Sequence, residues 1–337
     1  MFIVSWLFLL LSVTTASLAA PGTPHPLPAP PAADLLDITC PSASRCLAVG
    51  EAGTILESTD GGRRWNLLAA PTDRDLLAVA CADGDRCIAA GAEGMVFRSV
   101  DAGTSWTLVE SGTSAMLNAA ACVDEHCVLV GSGATLLYSD DAGLNWTPRP
   151  LASDASLFDL DCSSTGRCLA VGSHGTILLS ENGGLDWQLH HRAENLSLHA
   201  VACSGMHCLA LTWRSGELYR SVDGGRRWAP QSTPFSDSPL ALDCLDGGRC
   251  WVLVSGGNVY ASTLEIWRSR DGGDNWQSRE PGIGATPLAL TCLDGGNCVA
   301  VGEQAAALFA PLTGAGDWSF AAVRGLPAFL DLSCPGV

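Results

Sequence analysis

The sequence predicts an all-β chain folded as a seven-bladed propeller of four-stranded antiparallel blades. Three observations carry that reading: a fixed tryptophan–cysteine interval, four short apolar runs per repeat, and one turn motif copied along the chain. The interval comes first. Seven tryptophans each stand sixteen residues before a cysteine: Trp65/Cys81, Trp106/Cys122, Trp146/Cys162, Trp187/Cys203, Trp228/Cys244, Trp276/Cys292 and Trp318/Cys334. A constant spacing of this kind marks one structural unit copied end to end. The leading cysteines fall at 40, 81, 122, 162, 203, 244, 292 and 334, so the unit is about 41 residues, and only the step from 244 to 292 is stretched, by seven.

Inside the second unit the runs are LLAVAC (76–81), CIAAG (87–91), MVFRS (95–99) and WTLV (106–109). Each is too short for a helix and is bounded by Gly, Asp or Ser, which reads as strand–turn–strand. Four antiparallel strands per roughly 40 residues is the period of a propeller blade. A helical repeat of that length would need two long segments at 3.6 periodicity, and the chain supplies none.

The turn between the third and fourth strands reads STDGGRRW (58–65), SVDAGTSW (99–106), SDDAGLNW (139–146), SENGGLDW (180–187), SVDGGRRW (221–228) and SRDGGDNW (269–276). A seventh copy, PLTGAGDW (311–318), has lost the acid. These strings resemble the Asp-box of sialidase-like propellers, S-x-D-x-G-x-x-W. Physically, the Asp accepts backbone N–H bonds across a tight turn, Gly permits positive φ, and Trp fills the space between blades. Structural roles are therefore expected for Asp60, Trp65, Asp101, Trp106, Asp141, Trp146, Asn182, Trp187, Asp223, Trp228, Asp271, Trp276 and Trp318. A calcium site needs several converging oxygens, and most of these turns offer one or two carboxylates, so neither metal nor cofactor is expected.

Fourteen of the fifteen cysteines form close pairs, Cys40–Cys46, Cys81–Cys87, Cys122–Cys127, Cys162–Cys168, Cys203–Cys208, Cys244–Cys250 and Cys292–Cys298. Each brackets the turn between strands one and two, where the two ends of a hairpin already lie side by side, so disulfides are expected. A four-cysteine zinc site would need two pairs to meet, whereas pairs repeated once per blade are spread round a ring. Residues 1–19 read as a secretory signal peptide: uncharged, apolar from Phe2 to Val13, with Ser17 and Ala19 suited to cleavage. Left uncleaved, the segment would be the chain's one possible membrane anchor. Residues 20–34, with PGTPHPLPAPP (21–31), form a Pro-rich linker; residues 35–326 form the propeller; residues 327–337 remain as an extra strand. These features predict an exported chain, periplasmic or extracellular. A net charge of −17 without a basic patch argues against nucleic acid as a partner.

Chemistry in a ring of equal blades must come from residues that break the repeat. Trp251 and Trp267 fall on apolar strand positions and are expected in the core, and His199, on a first strand, is expected to be partly buried and hydrogen-bonded. Asp37, Asp159 and Asp161 lie on first strands, but Asp243 and Asp331 recur there, which makes them structural rather than a glycosidase acid pair. No catalytic residue is expected. Other exceptions cluster in the hairpins between strands two and three: Glu51, Glu93, His174, Trp213, Arg214, Tyr260 in the insertion, and Glu303. Those hairpins share the face opposite the cysteine turns, and loops on one face of a rigid scaffold are where binding resides. They are the candidate surface for a protein partner.

The string LLDITCPSASRCLAVGEAGTILESTDGGRRW (35–65) is similar to the Ycf48/HCF136-like photosystem II assembly-factor family of Asp-box (BNR) propellers. The resemblance implies a non-enzymatic propeller that holds partner proteins during assembly of an envelope or membrane complex. The chain departs from the photosynthetic members in its cysteine pairs and its acidity. Its arginines lie mostly in Asp-box turns, at Arg63, Arg64, Arg226 and Arg227, so the scaffold role carries over and the photosystem role does not. The alternative is a carbohydrate-binding or degenerate, sialidase-like glycosidase propeller. Finally, LPAFLDLSC (326–334) repeats a first strand in register, and is expected to dock beside blade 1 as a clasp that leaves Cys334 unpaired.

Overall fold

The computed structural model describes residues 33–151, 153–212, 217–235, 238–245, 247–258, 261–279, 287–293, 297–303, 306–311, 319–320 and 322–324. They form seven antiparallel sheets, one per repeat, in each of which four strands follow chain order. The first strands are Leu35–Thr39, Leu76–Cys81, Leu117–Val123, Leu157–Cys162, Leu198–Ser204, Ser238–Leu245 and Pro287–Leu293, and they pack around a central channel. The second strand Cys46–Gly50 is buried at every position, because both faces of the blade are covered by its neighbours. Fourth strands lie at the rim, and Thr107–Val109 is largely exposed.

Every first strand carries a β-bulge near its start. A bulge re-aims the extra residue. The residues so placed are Leu36, Leu77, Asn118, Phe158, His199, Leu240 and Leu288, and all of them line the channel. At the other end of the hairpin the expected disulfides are present in all seven blades, with Cα atoms 3.9–4.1 Å apart. Disulfide-rich chains of this kind belong to oxidising compartments.

Apolar clusters bridge successive blades, and each described Asp-box tryptophan packs into the cluster shared with the preceding blade. Trp106 joins Leu47 and Val49 of blade 1, and Trp228 joins Leu169 and Val171 of blade 4. Trp65 closes the ring against Val299 and Val301 of blade 7. Trp251 is buried, and Trp267 packs with Phe235 and Trp276, as core positions should. Beyond blade 7, Ala322–Arg324 runs parallel to Arg64–Asn66 as a fifth strand on the outer edge of blade 1. The expected clasp, residues 327–337 with Cys334, lies outside the described residues, as do the signal peptide and Trp318.

The seven-residue insertion is not a loose loop. Strands Arg249–Asn258 and Ala261–Ser269 stay paired out to Asn258 and Ala261, so the insertion lengthens one hairpin. Backbone hydrogen bonding is satisfied more fully by prolonging the ladder than by a long irregular loop.

Candidate functional site

The Asp-box face is built for rigidity. In each described box the serine hydroxyl donates to the acid, or to the Asn that replaces it, and accepts the backbone N–H of the glycine four residues on. Ser99 Oγ thus meets Asp101 Oδ1 at 2.8 Å and Gly103 N at 2.7 Å. Asp101 Oδ1 then accepts Ser105 N at 2.8 Å. Asn182 makes the same bond to Asp186 N at 2.9 Å, so the substituted box keeps the turn. Gly184 has φ +88°, and a methyl group there would lie 2.2 Å from Val128 of the preceding blade. The box glycine is thus required twice, by conformation and by contact. Hydrogen bonds from Ser105 hold Asp101 below the ordinary carboxylate range, and the Asn275 amide holds Asp271 down to about 2.

Arginines on this face tie blades together. Arg98 Nε donates to Ala142 O at 2.8 Å, and Arg220 Nε to Gly272 O at 2.8 Å while its Nη1 meets Asp274 Oδ1 at 2.6 Å. Arg226 reaches back to Glu181 of blade 4. Such bonds use these guanidinium groups inside the ring, where Arg forks hold carbonyl and carboxylate oxygens in fixed geometry.

The opposite face carries the candidate partner-binding residues. Glu51 and Glu93 are part of short 3-10 turns, Glu51–Gly53 and Ala92–Gly94, and are exposed there, as is Glu303 in blade 7. The hairpins are anchored to the crossovers beside them: Asp34 N donates to Glu51 Oε2 at 3.2 Å, and Ala52 N to Asp75 Oδ1 at 2.9 Å. His174 is half-buried in its hairpin at φ +56°, with its Nδ1 enclosed. Trp213, Arg214 and Tyr260 lie outside the described residues. The crossovers add Asp73, Asp154 and Glu194, while Arg74 and Arg192 are each within 4 Å of an acid, Glu93 and Asp154. Among the described residues this face carries more acids than bases.

The channel holds staples that residue type alone did not predict. Asp37 Oδ2 accepts Val79 N of blade 2 at 2.7 Å, Asp159 Oδ2 accepts Val201 N of blade 5 at 2.7 Å, and Asp161 Oδ2 accepts Cys203 N at 2.8 Å. Asp243 Oδ2 accepts Cys292 N of blade 7 at 2.6 Å. Asn118 Nδ2 donates to Leu157 O at 2.7 Å, and His199 Nε2 to Pro239 O at 3.1 Å. Every one of these side chains fastens its blade to the next. Each of these residues keeps some surface, yet the ring surrounds its carboxyl, and burial pushes Asp37, Asp159 and Asp243 up to about 7 and Asp161 to about 6. The accepted backbone bonds oppose that rise without cancelling it. The departures that could have revealed these staples were visible: an Asp stands where Ala78, Ala119 and Ala200 occur in other blades.

Among the described residues no group of three or more His, Cys, Asp and Glu side chains is placed to hold a metal ion. Nor does any described helix have the length and apolarity to cross a membrane.

The boxes, the ring and its disulfides define an Asp-box β-propeller. The sequence matches the family described as photosynthesis system II assembly factor YCF48 over residues 26–117 and 111–265, and the chain belongs to that family. No curated protein matches the sequence. Among solved structures, the fold is similar to "YCF48 bound to D1 peptide", with TM-score 0.69 and 18% identity over 85% of this chain and 95% of that one. YCF48 from Cyanidioschyzon merolae gives TM-score 0.66 and 19% identity over 84% and 97%. The GH74 enzyme of Niastella koreensis gives TM-score 0.70 but 11% identity, over 88% of this chain and 54% of that one. At these identities the likenesses are of fold.

Proposed function

We propose that this chain is an exported, non-enzymatic propeller scaffold whose hairpin face binds a protein partner, in the assembly or stabilisation of an envelope or membrane complex. The observation that carries the reading is membership of the YCF48 family, together with a YCF48 structure, similar along nearly its whole length, that was solved with a D1 peptide. The surface chemistry here points to a different ligand charge. With Glu51, Glu93, Glu303, Asp73, Asp154 and Glu194 outnumbering Arg74 and Arg192, the partner segment is basic. Seven disulfides support export, and the periplasm or the cell exterior is the compartment proposed.

A photo-crosslinker placed at Glu93 should capture one discrete partner from the envelope fraction, and Glu51→Lys/Glu93→Lys/Glu303→Lys should abolish that capture. A crosslinker at Leu144, on the Asp-box face, should capture none. Equal capture from both faces, or none from Glu93, would reject the reading. The carbohydrate alternative rests on the GH74 likeness alone, and binding to a glycan array that survives the triple charge reversal would favour it.

A further inference from the structure

The channel aspartates raise a question that a binding scaffold does not answer: why acids at all, where other blades carry Ala or Thr? Their geometry is specific. Asp37 and Asp159 occupy one register position and take the N–H of a valine in the next blade; Asp161 and Asp243 occupy another and take the N–H of a cysteine. In three of them the second oxygen accepts the following residue's own N–H, at 2.7 Å for Ile38 and 2.8 Å for Leu160 and Cys244. The channel, about 380 Å³, is lined by the seven inner strands. Among the described residues its titratable groups are Asp37, Asp159, Asp161, Asp243 and His199; no described Lys or Arg lines it, and the inner strands of blades 2, 3 and 7 contribute no ionisable group. Burial also pulls His199 below its ordinary value, so it supplies no countercharge at neutral pH.

We propose that the channel is a proton-operated lock, in which Asp37, Asp159, Asp161 and Asp243 hold adjoining blades most firmly when their carboxyl groups are neutral, so that the propeller closes tightest in mildly acidic surroundings. Protonation at Oδ1 leaves Oδ2 to accept the N–H of the next blade and weakens only the bond from the following residue of the same strand. What protonation removes is charge in a low-dielectric space, and the repulsion of Asp159 by Asp161 on the same strand. The sign follows from linkage. The ordinary value is 3.8 and burial raises it to about 7 in the closed ring for Asp37, Asp159 and Asp243. Folding therefore takes up protons between about pH 4 and 7. The stabilisation is complete below about pH 4 and is lost as pH rises through about 7.

The test is urea unfolding of the disulfide-intact full chain between about pH 4.5 and 8, where the folding constant should fall with rising pH, by up to about tenfold per pH unit for each carboxyl then titrating. Asp161→Ala and Asp243→Thr install residues that Ala80, Ala121, Thr39 and Thr291 already provide at the same register position, so the ring should form. Each should flatten the slope by close to one proton, whereas Asp73→Asn/Glu110→Gln, on the exposed crossovers, should leave it unchanged. A wild-type slope retained in both channel variants, or stability that rises with pH across this window, would overturn the lock. If a variant fails to fold, carboxyl-carbon NMR titration of the labelled wild type decides: midpoints near about 7 support the proposal and midpoints near about 4 reject it.

Discussion

Trp65 of the first blade and Val299 of the last lie buried in one apolar cluster, and that contact closes the ring without a covalent join. Gly62, in the same Asp-box as Trp65, leaves the space that the Val299 side chain occupies. The seam therefore resembles the other blade junctions in composition, but it must form from residues far apart in the chain.

Trp65 has no exposed surface, and its Nε1 donates to Gly62 O at 3.0 Å. Trp65→Ala should destabilise the ring by about 3–5 kcal/mol. Trp65→Phe should cost more than Trp106→Phe by about 1 kcal/mol, because the buried Nε1 of Trp106 has no acceptor to lose. Urea titrations of the two Phe variants check the difference.

Asp271 binds the Asn275 backbone at 2.9 Å and its side-chain amide at 2.8 Å. Its carboxyl is held down to about 2, so its contribution is present above the ordinary 3.8 and is lost as pH falls through about 2. The group is largely exposed and solvent screening keeps the effect small. Asp271→Ala should cost about 1 kcal/mol at neutral pH. Asp271→Asn/Asn275→Asp, which copies the Asn182–Asp186 arrangement of blade 4, should be nearly neutral in thermal unfolding.

Fourteen cysteines are paired. Alkylation of the denatured, unreduced mature chain should therefore add at most one label, at Cys334. Replacing Cys203 and Cys208 together by Ala should lower stability by roughly 2 kcal/mol or less, since the closed loop is short. Several labelled thiols in the native preparation would contradict the disulfide framework.

Two arginine ties should differ. The Arg220 side chain is 15% exposed and holds both Gly272 O and Asp274, whereas the Arg226–Glu181 pair is 44% and 56% exposed. Arg220→Met should cost about 1–2 kcal/mol because it leaves a carbonyl at the blade junction unpaired, and Arg226→Met about 0–1 kcal/mol. Comparable losses in calorimetry would show that the ties act through charge rather than through the carbonyl bond.

The strand Ala322–Arg324 covers the outer edge of blade 1. Val323→Pro places a proline within that parallel strand and should lower the melting temperature, with increased protease nicking close to Phe320. An unchanged melting curve would mean that the seam alone holds the ring.

Much of this architecture was legible in the chain. The Trp–Cys interval, the cysteine pairs and the Asp-boxes are local patterns, and strand period, turn chemistry and hairpin disulfides depend on residues that are near in sequence. The hairpin face was legible for the same reason, since antiparallel alternation assigns turns to faces. How far His174 is enclosed was not legible, because its burial depends on how its hairpin packs, which residue type does not reveal.

The sequence by itself determined seven copies of one four-stranded unit, their disulfides and their box turns, because each is specified within about 41 residues. Only the tertiary structure decided what happens between units. Asp37, Asp159, Asp161 and Asp243 became inter-blade staples because the ring brings each beside an N–H more than 40 positions away, and their raised proton affinity exists only because closing the ring removes water from around them. Desolvation is a property of the whole enclosure, and no window of sequence contains it.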